Sequence, residues 1–104
     1  MKKFEVYENN AGGLALVVYD DSEKVEYIYT GYEFNPGQLS QDISCIKAGD
    51  DPAMMWDGNE IDYFSDFEIK EFASGEYGKL VADNDAIYPE NMGAAACLEF
   101  GIEK

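Results

Sequence analysis

Apolar and polar positions alternate clearly along the first third of the chain. Phe4, Val6 and Glu8 alternate with Glu5 and Tyr7, the two-residue period of a strand. Asn9-Asn10-Ala11-Gly12-Gly13 is a turn signal. Leu14-Ala15-Leu16-Val17-Val18-Tyr19 follows as a strand that is apolar on both faces, and polar Asp20-Asp21-Ser22-Glu23-Lys24 predicts the next turn. Val25-Glu26-Tyr27-Ile28-Tyr29-Thr30 reads as a third strand. Short loops join the three, which predicts an antiparallel meander.

The period then lengthens. Leu39, Ile43 and Ile46 recur at i, i+4 and i+7, one apolar stripe of a helix. Asn35 is the expected N-cap, Pro36 suits the first helical position, and Gly49 marks the stop. Asp51-Pro52 could cap a single further turn, ended by Asp57-Gly58-Asn59. Between Glu60 and Phe72 the spacing fits both periods. Phe64, Phe67 and Phe72 match a helix, whereas Ile61, Tyr63, Phe67 and Ile69 match a strand. A helix over about 60–73 is favoured because Ser74-Gly75 supplies a stop. A short strand is expected over Lys79-Leu80-Val81-Ala82, a loop over 83–93, and a closing strand over 95–100.

The resulting order, β-β-β-α-(α)-β-β, predicts one α+β domain spanning 1–104. Its mainly antiparallel sheet has about five strands, with one or two helices on one face. The two-sided second strand implies that something also covers the other face: a tail, a helix or a second copy of the chain.

Composition narrows function more by exclusion than by support. Of 104 residues, 22 are Asp or Glu and seven are Lys, with no Arg and no His, for a net charge of −15. Without His, the side chain that titrates nearest neutral pH is missing, and no Ser-His or Cys-His pair exists. Without Arg, there is no bidentate fork for phosphate. Such charge repels nucleic acid and anionic membrane and attracts basic partners. A chain that is 46% hydrophobic and 14% aromatic is not a disordered acidic tail, so the charge belongs to a folded surface.

Cys45 and Cys97 form no CxxC pair and read as two reduced structural thiols. Asp83-Asn84-Asp85 and Asp57-Gly58-Asn59-Glu60 are rich in oxygen. Neither completes a calcium loop, because Ile87 and Ile61 fall where ligands are required. Their plain reading is turn chemistry, so no metal or other cofactor is expected. Gly12-Gly13 lacks the spacing of a phosphate loop. Glu5 follows Met1-Lys2-Lys3 without a long apolar run, and no membrane-length apolar stretch occurs, so a cytoplasmic, non-enzymatic protein is expected.

Aromatics beside carboxylates supply the candidate recognition surface. Trp56, with Met54 and Met55, either closes the core or anchors an interface. Tyr27 and Tyr29 either pack internally or join Glu26 and Glu33 in a contact surface. The candidate partner-binding set is Glu23, Glu26, Tyr27, Tyr29, Glu33, Trp56, Asp57, Glu60, Asp62, Asp66, Glu68 and Glu71.

Four stretches, Asn9–Leu14, Tyr32–Leu39, Trp56–Glu60 and Val81–Glu90, together resemble small, uncharacterised acidic bacterial proteins for which mobile elements are one candidate home. The resemblance implies a bacterial cytoplasmic setting and carries over no site. Three functional readings stay open. The first is an acidic module that occupies a basic groove on a DNA- or RNA-binding partner, carboxylates standing in for phosphates. The second is a self-associating structural or regulatory protein that forms a homodimer through the open sheet face. The third is a protein that binds a small ligand or, weakly, a metal near Trp56.

Overall fold

A computed structural model describes residues 2–9, 12–29, 32, 36–50 and 78–103. Strands β1 (Phe4–Glu8), β2 (Leu14–Tyr19) and β3 (Val25–Tyr29) fall where alternation places them, followed by helix α1 (Gln38–Lys47). Strand β4 (Lys79–Asp83), a 3-10 turn (Pro89–Asn91) and helix α2 (Ala94–Phe100) complete the described elements. The architecture is α+β. The sheet is antiparallel and open, in the order β3-β2-β1-β4.

Register sorts the side chains onto two faces. Phe4 pairs with Val18, Val6 with Leu16 and Glu8 with Leu14, so the even-numbered residues of both strands share a face. That set joins Tyr29, Tyr32, Val81, Met92, α1 residues Leu39, Ile43 and Ile46, and α2 residue Ala96 in the main core. Ala15, Val17 and Ile28 form a second buried cluster on the opposite face, with Tyr7 and Tyr19 packed against it. Val17 is only 1% exposed, so the second face of β2 is covered within a single chain.

Four strands lie among the described residues, against about five expected. The difference is the segment 95–100, read as a closing strand and found as α2. Its seven residues are too few to separate the two periods. Local preference decides, because Ala94-Ala95-Ala96 are the strongest helix formers and Gly101 provides the stop. The expected helix over 60–73 and the turn around Asp57 lie outside the described residues.

Helix α1 starts later than its sequence suggests. Gly37, and not Asn35, holds the N-cap position, and no side chain of its own caps the helix. A carboxylate from α2 serves instead, since Gly37 N donates to Glu99 Oε1 at 2.9 Å. The other end follows expectation. Gly49 adopts φ 87°, with Gly49 N bonded to Ile46 O (3.0 Å) and Asp50 N to Cys45 O (2.8 Å), a Schellman closure that favours glycine.

The free side of β4 is blunted by the chain's own return. Ala82 forms a bridge with Ile87, Tyr88 N donates to Val81 O at 2.8 Å, and Asn91 Nδ2 donates to Leu80 O at 3.0 Å. Together these occupy carbonyls that an edge strand would otherwise offer to a second chain.

Candidate functional site

The antiparallel order brings the start of β1, the end of β2, the start of β3 and the end of β4 to one end of the sheet. Two tight turns meet there. In the β2–β3 turn, Asp20 Oδ1 accepts from Ser22 N (2.8 Å) and Lys24 N (3.0 Å), while Glu23 takes a left-handed φ of 61°. After β4, Asp83 Oδ1 accepts from Asp85 N (2.9 Å) and Ala86 N (3.0 Å), and its Oδ2 accepts from Tyr88 O–H (2.8 Å). Asp83-Asn84-Asp85 is thus a backbone-binding turn, the plain reading of that motif. Asn84 locks the end of the sheet. Its Oδ1 accepts from Phe4 N (2.8 Å) and its Nδ2 donates to Lys2 O (2.9 Å), prolonging the β1–β4 ladder with a side chain.

Between these turns lies an open pocket of about 350 Å³, lined by Lys3, Glu5, Glu23, Asp83, Asn84 and Asp85. Glu5 and Asp83 are direct register partners across β1 and β4. Like charges in that relation repel. Neighbouring groups offset the repulsion. Tyr19 O–H donates to Glu5 Oε1, and the Lys3 ammonium sits 4.9 Å from the centre of the Tyr19 ring. Burial, then the charge of Glu5 and a hydrogen bond to it, push the Tyr7 phenol up to about 12. Burial and the same carboxylate also push Tyr19 up. Burial works against the charge of Asp83, but the hydrogen bonds from Asp85 N, Tyr88 O–H and Ala86 N, with Lys3 nearby, hold its carboxyl below the ordinary range. Asp83 is therefore held ionised, while the Tyr7 and Tyr19 phenols near it are held neutral.

Among the candidate residues, Glu23 lines this pocket. Glu26 lies at the same end and accepts from Lys2 Nζ at 2.8 Å. Tyr29 is fully buried in the main core, so its ring is packing and not contact surface. Tyr27 belongs to β3 opposite Val18. Glu33, Trp56, Asp57, Glu60, Asp62, Asp66, Glu68 and Glu71 lie outside the described residues. Glu5, Asp83 and Asp85 were not among the candidates, although the alternation of β1 and the turn pattern at 83–85 place them at strand ends.

A second polar feature lies inside the molecule. Asp42 is 0% exposed and accepts hydrogen bonds from Tyr32 O–H (2.8 Å) and Gln38 Nε2 (2.9 Å). Burial and the charge of Asp42 push Tyr32 strongly upward. Ser40 Oγ donates to Glu99 O at 2.9 Å, which joins this region to α2. Glu8 plays a similar structural part: it is 7% exposed and accepts from Gly93 N at 2.6 Å, tying β1 to the start of α2.

Cys45 and Cys97 are free thiols, and burial with the charges of Asp42 and Asp50 pushes Cys45 up, away from the thiolate form. Among the described residues, no three His, Cys, Asp or Glu side chains are placed to hold a metal, and no helix is long and apolar enough to cross a membrane. No family model, curated protein or solved structure matches this chain. The fold and the site define an acidic α+β protein with a carboxylate-lined pocket at one end of its sheet.

Proposed function

We propose that this chain is a non-enzymatic binding module that presents carboxylates to a basic surface of a protein partner in the cytoplasm, in the manner of a nucleic-acid mimic. The observation that supports it is the Glu5–Asp83 pairing. Two carboxylates are held in register across β1 and β4, against their mutual repulsion, at the wall of an open pocket. Glu23 and Asp85 line the same pocket, Asp20, Asp21 and Glu26 belong to the same end of the sheet, and carboxylates there outnumber Lys2, Lys3 and Lys24. A basic groove that binds phosphates meets the same chemistry here, and the net charge of −15 steers its approach. Self-association was expected to use the two-sided second strand and the Tyr27–Tyr29 stripe; Val17, Ile28 and Tyr29 are buried within one chain, which favours the acidic end as the partner surface.

The test is affinity capture of the tagged chain from source-cell lysate, with elution in rising salt and identification by mass spectrometry. A basic nucleic-acid-binding protein released at moderate salt is the expected result, because screening shortens to about 3 Å at 1 M salt. A partner whose affinity does not change with salt overturns the reading. So does recovery of the bait alone.

A further inference from the structure

We draw no further inference here: the strongest candidate, the pocket at the end of the sheet lined by Lys3, Glu5, Glu23, Asp83, Asn84 and Asp85, belongs to the site already described, and nothing in it beyond its own carboxylates says which ligand it takes.

Discussion

Glu5 and Asp83 stand opposite each other across the β1–β4 ladder, each held by a phenol: Tyr19 donates to Glu5 and Tyr88 to Asp83. Hydrogen bonding satisfies both carboxylates but does not remove their repulsion. Glu5→Gln keeps an acceptor for Tyr19 and deletes one charge. It should stabilise the fold at neutral pH and low salt by about 0.2–1 kcal/mol, the range for a cross-strand charge pair. Urea unfolding at two salt concentrations checks this. Added salt should stabilise the wild type more than the variant, since it screens the same repulsion. A variant less stable than wild type at low salt would show that the carboxylate is held for stability.

Alkaline pH should destabilise the protein through its phenols. An unfolded tyrosine titrates near 10.0, whereas Tyr7 in the fold titrates at about 12. Between those values the unfolded state loses a proton that the native state keeps, so the stability contributed by the neutral phenol is present below pH 10.0 and lost as pH rises towards 12. Tyr19 and Tyr32 are shifted in the same direction and extend the loss upward. Melting temperature should fall over this window while phenolate absorbance of the native protein lags behind that of the urea-unfolded chain. Tyr7→Phe should make the fall shallower.

The buried Tyr32–Asp42 contact supports a separate prediction. Tyr32→Phe removes one donor from a carboxylate that has no exposure to water, and a hydrogen bond to a charged group contributes about 1.5–3 kcal/mol. Equilibrium unfolding in urea should show that loss with an unchanged slope. Asp42→Asn should cost less than Asp42→Ala, because the amide oxygen still accepts a hydrogen bond and its volume still fills the site. Equal losses in the two Asp42 variants would mean that neither the retained volume nor the retained acceptor matters, and that the charge of the carboxylate fixes this position.

These contacts also show which parts of the fold can be read from sequence. The first three strands were legible because Glu5 and Tyr7 interrupt an apolar period of two, and because Asn, Gly and Asp mark the turns at 9–13 and 20–24. Helix α1 was legible from Leu39, Ile43 and Ile46, and Gly49 marked its end. Its start was not, since Glu99 bonds to Gly37 from 62 residues away and no local pattern announces that contact. Helix α2 was misread because Ala95 to Phe100 is apolar at nearly every position, and such a run carries no period. Along the chain Asp42 only flanks the stripe of Leu39, Ile43 and Ile46. Its burial depends on Tyr32, a partner supplied by tertiary packing. The acidic pocket was missed for the same reason: the register of β1 against β4 joins residues about 80 positions apart, and spacing along the chain does not encode register.

Gly78 should be the least replaceable of the described glycines. It has φ 146°, and a Cβ there would lie 2.2 Å from the Glu8 carbonyl oxygen. Gly78→Ala therefore meets both backbone strain and a backbone clash where β4 begins to pair with β1, and should cost about 1–3 kcal/mol or more. Gly12→Ala is the control, because it has a positive φ of 83° but open space around the added carbon. Thermal melts of the two variants separate clash from strain, with the larger loss expected at Gly78.

The functional proposal makes its sharpest prediction at Glu23 and Asp85. Both side chains are exposed at the pocket, so neutralising them should leave the fold within about 0.5 kcal/mol of wild type, as surface changes usually do. If a basic partner reads this end of the sheet, the Glu23→Gln, Asp85→Asn double variant should bind it more weakly, with most of the change in association rate at low salt. The dependence of affinity on salt should also become shallower, because fewer charges are screened. Asp50→Asn combined with Glu103→Gln, an equal change of two charges at exposed residues outside the pocket lining, is the control for net charge alone. Stopped-flow or surface-based kinetics with the captured partner, at several salt concentrations, measure both quantities. A pocket double variant that associates as fast as this control would place the contact elsewhere on the surface, and the acidic pocket would then have no part in binding.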